Sequence, residues 1–197
     1  IIPVTGIELN ESSVIMGDKD THNLVATITP ENATNKNVIW TSSDENVATV
    51  DQNGVVTSKD VNGKTIITAT TEDGGFAATC EVEVRVKVSG IELNNSTIKF
   101  TKNNETYQLE AIIYPTNAYN QNVIWATSNP DVAVVDENGL VTCIDNGDAT
   151  ITVTTEDGGF VDTCNVNVEI AVTGIINDNT DIITVELGNT YQLKATV

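Results

Sequence analysis

The chain has little positive charge. Only 9 of its 197 residues are Lys or Arg, against 28 Asp or Glu, so the net charge is −19. Binding to nucleic acid or to an anionic membrane surface depends on clustered Lys and Arg side chains that neutralise phosphates. We therefore expect neither nucleic acid nor a membrane among the partners of this protein. The excess of acidic residues is typical of a well-solvated surface.

The chain is also poor in the residues that carry most catalytic and metal chemistry. It has one histidine, three cysteines, no Cys-x-x-Cys pair and no glycine-rich phosphate loop. A serine or cysteine nucleophile needs a neighbouring base, and a zinc site needs nitrogen and sulfur ligands. The sequence therefore predicts that the protein is not an enzyme, with no catalytic, cofactor-binding or metal-binding residues.

Long hydrophobic runs are missing as well. No apolar stretch approaches the roughly 18 residues that a membrane-spanning helix requires, and no signal peptide or sorting motif is visible. The chain begins at Ile1 and stops within a repeated unit. We expect it to be a piece of a longer protein whose targeting signals lie outside it.

What the chain does contain is an internal repeat with a period of 84 or 85 residues. A fixed period of this kind marks tandem structural units. It predicts one repeat at residues 1–87, a second at 88–171 and the first strands of a third at 172–197. The motifs that return are Val4-Thr5-Gly6-Ile7 at Val88 and Val172, Asn37-Val38-Ile39-Trp40 at Asn122, Val47 to Asp51 at Val132, Asn53-Gly54 at Asn138, and Thr70 to Phe76 at Thr154.

Each repeat reads as short strands separated by turn residues, without helical periodicity. Residues 22–29 alternate and are predicted to form one strand that ends at Pro30. Asn53-Gly54 predicts a tight hairpin, because both residues tolerate positive φ. Alternate residues 76, 78, 80, 82 and 84 are expected to face a core. The fold class is therefore all-β, with tandem antiparallel β-sandwiches that short junctions join into an end-to-end rod.

These motifs, in this order, resemble the bacterial immunoglobulin-like domain, group 2. The residues that carry the resemblance are Val4 to Ile7, Trp40 to Ser43, Val47 to Asp51, Asn53 to Thr57 and their second copies. The resemblance implies an immunoglobulin-like sandwich found in tandem in bacterial surface proteins, adhesins, secreted glycoside hydrolases and phage tail proteins. It also implies a location outside the cell or on the bacterial surface, and an absence of catalytic residues.

Calcium is the one cofactor that the sequence leaves open. Carboxylates occur in the predicted turns, where oxygen ligands could gather, but no Asp-x-Asp-x-Asp-Gly loop is present. Asp residues in turns more often accept hydrogen bonds from the nearby backbone. The candidate ligands are Asp51, Glu72, Asp73, Asp136, Glu156 and Asp157.

The tryptophans and the cysteines each allow two structural interpretations. Trp40 and Trp125 share a face with Val38 and Val123, which favours core packing over an exposed platform for a sugar. Cys80 and Cys164 occupy equivalent positions, whereas Cys143 replaces Ser58. We expect buried thiols, and a Cys143–Cys164 disulfide is the alternative.

The function that follows is structural, in which the repeats space or present another module of a surface or secreted protein. The expected partners are the neighbouring repeats of the same chain. The alternatives are an adhesive segment that binds a host protein, glycan or cell-wall polymer through its loops, and a virion decoration domain. Any binding function should lie where the repeats differ, at Cys143, at loops 34–37 and 117–122, and at the edge after Val172.

Overall fold

A computed structural model gives the fold of residues 1–171, 176–177 and 195–196. All regular structure in these residues is β-strand, which confirms the predicted fold class. By compactness the chain divides into two units, one made of residues 1–92, 111–124 and 153–162 and the other of residues 93–110, 125–152 and 163–197. The first unit thus contains the whole first repeat together with three segments of the second, 88–92, 111–124 and 153–162.

The first repeat contains nine strands arranged as the two faces of a sandwich. One face is a four-stranded sheet with the order β2-β9-β8-β5, and the other combines β1-β4 with β3-β7-β6. The strands are β1 (Gly6–Leu9), β2 (Ser13–Gly17), β3 (Thr21–Asn23), β4 (Ala26–Thr29), β5 (Val38–Ser42), β6 (Ala48–Val50), β7 (Val55–Ser58), β8 (Gly63–Thr71) and β9 (Ala77–Arg85).

The core of the first repeat lies between these faces and consists mainly of aliphatic side chains. Alternate positions of β8 and β9 supply much of it, because successive side chains of a strand point to opposite faces. Trp40 is the largest contributor and is 6% exposed. The other members of the cluster are Met16, Leu24, Val47, Ala48, Val56, Ile67, Ala69, Cys80, Val82 and Val84.

The second repeat reproduces this strand order. Its strands form sheets with the orders β11-β18-β17-β14, β10-β13 and β12-β16-β15. They are β10 (Gly90–Leu93), β11 (Thr97–Phe100), β12 (Thr106–Gln108), β13 (Ala111–Tyr114), β14 (Val123–Thr127), β15 (Ala133–Val135), β16 (Leu140–Cys143), β17 (Gly147–Thr155) and β18 (Val161–Val168).

Of the predicted third repeat, the structure describes only two short strands. Strands β19 (Ile176–Asn177) and β20 (Ala195–Thr196) pair in antiparallel fashion. The remainder of 172–197, including the edge after Val172, lies outside the described residues. The boundaries 1–87, 88–171 and 172–197 stay predictions.

One strand pair in each repeat departs from the antiparallel arrangement. Strand β2 runs parallel to β9, and β11 runs parallel to β18. The reason is that β1 pairs with β4 in one sheet, after which the chain crosses over and β2 joins the other sheet alongside β9. Parallel neighbours need a long connection, and the whole of the intervening sandwich provides it.

The single strand predicted at residues 22–29 is divided in two. Strand β3 pairs with β7, whereas β4 pairs with β1. Between them the Leu24 amide donates to the Gly54 carbonyl, and Val25 exchanges backbone and side-chain hydrogen bonds with Asn10. These bonds satisfy the backbone while the chain changes partner strand, which a pattern of alternating side chains does not reveal.

The hairpin predicted at Asn53-Gly54 is confirmed, because β6 and β7 pair in antiparallel fashion on either side of it. Within this turn Gly54 has a φ of 83°, and Asp51 Oδ1 accepts from the amides of Asn53 and Val55. Phe76 was expected in the core but is 38% exposed, because its ring lies over Gly74 of the preceding turn.

Candidate functional site

The turn carboxylates proposed as calcium ligands accept hydrogen bonds from their own surroundings. Asp73 Oδ2 accepts from the Val4 amide at 2.9 Å, and Asp157 Oδ2 accepts from the Val88 amide at 3.0 Å. These two residues thereby fasten the start of each repeat to the last hairpin of that repeat.

The glutamates beside these aspartates act in the same way. Glu72 Oε2 accepts from the side-chain amides of Asn35 and Asn37, and Glu156 Oε2 accepts from those of Asn120 and Asn122. The bonds from Asn37 and then Asn35 hold the pKa of Glu72 below its ordinary value. Both carboxylates thus hold the loop that precedes the tryptophan strand.

In the remaining pair, Asp51 and Asp136, each Oδ1 atom accepts two backbone amides of its own turn. The bond from the Val55 amide is the main reason why the pKa of Asp51 lies below its ordinary value. Within the described part of the chain, no three His, Cys, Asp or Glu side chains gather as metal ligands would. The six candidates lie in four turns, at Asp51, at Glu72-Asp73, at Asp136 and at Glu156-Asp157.

The single histidine lies at a strand edge. His22 Nε2 is 3.0 Å from Glu11 Oε1, and its side chain is 30% exposed. This contact links β3 to the loop before β2. The prediction of no catalytic residues stays a prediction, because no observation of this structure tests it.

The tryptophans differ in how they are covered. Trp40 packs against the Asn53-Gly54 turn, and its backbone N–H and C=O both bond to the Gln52 side chain, each at 3.3 Å. This amide covers backbone groups that an edge strand would otherwise expose. Glu137 replaces Gln52 in the second repeat and has no donor for the equivalent carbonyl. Trp125 is half-buried, whereas Trp40 is buried.

The three cysteines are buried thiols and form no disulfide, so the Cys143–Cys164 alternative is not realised. Burial, and to a lesser degree the charge of Glu11, raises the pKa of the Cys80 thiol. The Cys143 thiol donates to the Lys102 carbonyl at 3.1 Å. Ser58, its counterpart, donates to the Gly17 carbonyl at 2.6 Å. At this position the repeats therefore differ in the side chain, thiol or hydroxyl, that donates to a backbone carbonyl at the end of β2 or just after β11.

The most developed polar site in the first compact unit is the junction where the first repeat passes into the second. At its centre is Asn62, whose Oδ1 accepts from the Val86 amide at 2.7 Å and whose Nδ2 donates to the Asn117 carbonyl at 2.6 Å. Asn117 Nδ2 in turn donates to the Asp60 carbonyl at 3.2 Å. One side chain thus joins the connecting segment to loops from both repeats.

Further contacts surround this centre. The Tyr119 amide donates to the Val86 carbonyl at 2.8 Å, so both backbone groups of Val86 are engaged. The Arg85 guanidinium lies 4.7 Å from the centroid of the Tyr119 ring, which is cation–π geometry. Beneath the connection, Val88 packs with Ile113 and with Ala118 in a small buried cluster. We call residues 60–62, 85–88 and 117–119 the junction site.

The sequence located one half of the junction site. Loop 117–122 was singled out because it differs from loop 34–37, and its residues Asn117 and Tyr119 are the ones that reach the connecting segment. Asn62 was missed. The available signal was the Asn-Gly dipeptide at 62–63, which recurs at 146–147. There too the asparagine Oδ1 accepts from a backbone amide, that of Ile170, the counterpart of Val86.

The comparisons with known proteins agree with this fold. A family model described as bacterial Ig-like domain (group 2) matches residues 3–82 and 95–166. The chain belongs to this family. The resemblance inferred from the repeated motifs is therefore confirmed, and the two matched segments fall in the two repeats.

Relatives of the Ig-like chain differ widely in kind. An uncharacterised protein of Clostridium acetobutylicum is 36% identical over 160 residues, which cover 81% of this chain and 16% of that protein. An Ig-like virion protein of Serratia phage KSP90 is 37% identical over 147 residues, covering 73% and 57% respectively. An alpha-L-arabinofuranosidase of Bifidobacterium longum is 48% identical over 80 residues, 41% of this chain and 7% of that enzyme.

The Ig-like chain thus spans less than two thirds of the length of each of these relatives. Among solved structures, Drosophila N-cadherin EC1-4 aligns with a TM-score of 0.45 and 14% identity, covering 85% of this chain and 50% of that one. The described residues include no helix long and apolar enough to cross a membrane.

Proposed function

We propose that these Ig-like repeats are a non-catalytic structural segment that holds another module of a larger protein at a fixed distance. The junction site is the observation that carries this proposal. A flexible tether would need only a polar, unconstrained linker. Here the connecting segment has Val86 bonded through both its backbone groups and Val88 bonded to Asp157.

The relatives support a role that does not depend on one activity. Segments like this one occur within a virion protein and within a glycosidase, and in the glycosidase the matched part is a small fraction of the chain. A spacer suits such different hosts, because its function is mechanical. We place the segment outside the cell, on a bacterial surface, in a secreted protein or on a virion, where a net charge of −19 keeps it soluble.

Distance measurement across the junction tests the spacer role. Nitroxide labels at Glu45→Cys and Glu137→Cys, both exposed positions, report the separation of the two repeats by pulsed electron paramagnetic resonance. We expect a single narrow distance distribution. Asn62→Ala removes both central hydrogen bonds and should broaden it.

Asn53→Ala is the matched control. Asn53 also precedes a glycine in a tight turn, but its side-chain amide donates to Asp51 of the same turn and not across the junction site. The control should keep the narrow distribution. A broad distribution in the chain with native Asn62, or equal widths for the two alanine variants, would contradict a fixed junction.

A further inference from the structure

The second compact unit carries a polar groove on the outer face of the sheet β11-β18-β17-β14. Its volume is about 450 Å³, which lies within the range of small-molecule sites. Beside Ile98, Ala149 and Val166, the groove is lined by polar side chains, which are hydroxyls, amides, one carboxylate and one ammonium group. They belong to Thr97, Lys99, Ser128, Asp148, Thr150, Asn165 and Asn167.

Strand register arranges these side chains in two rows across the sheet. Thr97 lies opposite Asn165, and Lys99 lies opposite Asn167. Hydrogen bonds continue each row, from Thr150 Oγ1 to Asn165 Oδ1 at 3.4 Å and from Asn167 Nδ2 to Asp148 Oδ1 at 2.9 Å. Positions two apart on a strand are about 6.7 Å apart, so the rows are spaced to meet one extended polar ligand.

On the equivalent surface of the first repeat, charged side chains pair with one another. There Lys64, the counterpart of Asp148, lies 2.9 Å from Glu81 and 3.7 Å from Glu83, the counterparts of the two asparagines. The counterpart of Lys99 is Ile15, which is exposed. Ion pairs and an aliphatic side chain thus occupy the positions that carry Asp148, Lys99 and the two asparagines in the second repeat.

The chemistry of the groove selects its ligand. Each asparagine amide offers two donors and an acceptor, and each Ser or Thr hydroxyl both donates and accepts. Sugar hydroxyls have the same dual character. An anion would face Asp148 and an acidic protein, while a cation would find one carboxylate where calcium needs six to eight oxygens.

We propose that the groove of the second repeat binds a neutral oligosaccharide. The direct contacts assigned to it are the amides of Asn165 and Asn167, the carboxylate of Asp148 and the hydroxyl of Thr150. Lys99, which also lines the groove, is paired with Glu169 at 2.6 Å. This binding is independent of the spacer role, since it uses none of the residues of the junction site.

Nuclear magnetic resonance titration of the intact chain tests the proposal. The probes are cellohexaose, xylohexaose, arabinohexaose and mannohexaose, each to about 10 mM, with hexagalacturonate as the charged comparison. At least one neutral hexasaccharide should shift the side-chain amide signals of Asn165 and Asn167, with a dissociation constant of about 1 mM. The backbone amide signals of Lys64, Glu81 and Glu83 serve as the internal control and should not shift.

Two variants distinguish binding at the groove from non-specific binding elsewhere on the protein. Asn167→Asp keeps the shape but sets two carboxylates side by side, and the triple change Asp148→Lys, Asn165→Glu, Asn167→Glu installs the ion-paired surface of the first repeat. Each should weaken binding about tenfold or more. The proposal is overturned if no neutral probe shifts these signals, if hexagalacturonate binds equally well, or if a folded Asn167→Asp variant retains full affinity.

Discussion

Replacing Gly54 by alanine probes the close packing of its turn against the Trp40 ring and the Leu24 backbone. Gly54 has φ of +83°, and a Cβ placed there would press on the Leu24 carbonyl oxygen and lie 2.9 Å from Trp40 Cζ2. The left-handed backbone costs about 1–2 kcal/mol for a residue with a Cβ. Overpacking against the backbone and a buried indole adds about 1–3 kcal/mol. Gly54→Ala should therefore destabilise the first repeat by roughly 2–5 kcal/mol.

Gly75→Ala separates the two contributions. Gly75 has φ of +65°, but a Cβ there would meet nothing within 4 Å. This variant should lose only about 1–2 kcal/mol, the backbone cost. Labelling with 5-fluorotryptophan gives one fluorine signal for each repeat, because the chain has two tryptophans, so urea unfolding can be followed at Trp40 alone. Equal losses for the two variants would refute the packing argument.

Three further predictions follow from individual side chains. The pKa of Asp51 is lower in the folded state than its ordinary value of 3.8. The extra free energy of unfolding that native Asp51 has over Asp51→Asn should therefore be complete above that ordinary value and disappear as the pH falls through the folded pKa. Urea unfolding at a series of pH values measures this difference, and a difference that persists in acid would contradict the prediction. The buried thiols should not react with DTNB in the native protein and all three should react in urea, so rapid native labelling would show that the core is open. Gln52→Ala should lower the free energy of unfolding by about 1–3 kcal/mol, because it removes the hydrogen-bond partner of both backbone groups of Trp40. Glu137→Ala should lower it less, and the same unfolding assay compares the two variants.

The sequence was most informative where the two repeats agree. The conserved spacing of Trp40 and Trp125, and of the Asn-Gly turns, was enough to predict an all-β sandwich and its family. Burial of Cys80 and Val82 followed from strict alternation along one strand. These features depend on local pattern, and local pattern is what a sequence displays.

Two features that the sequence did not reveal depend on long-range pairing. The division of residues 22–29 into β3 and β4 depends on bonds to Asn10 and Gly54, and the parallel course of β2 depends on which sheet it joins. Periodicity specifies which face of a strand is buried but not which strand lies beside it. A turn motif likewise did not reveal that Asn62 reaches the Asn117 carbonyl, 55 residues away.

Nitrogen-15 relaxation of the unmodified chain tests the central claim of a fixed junction most directly. If the junction site holds, backbone amides in residues 1–87 and in residues 88–171 will report one common tumbling behaviour, that of a single 21.0 kDa particle. Two separate, shorter correlation times, each suited to a domain of about half that mass, would show that the repeats turn independently. That result would contradict the account of this chain as a spacer.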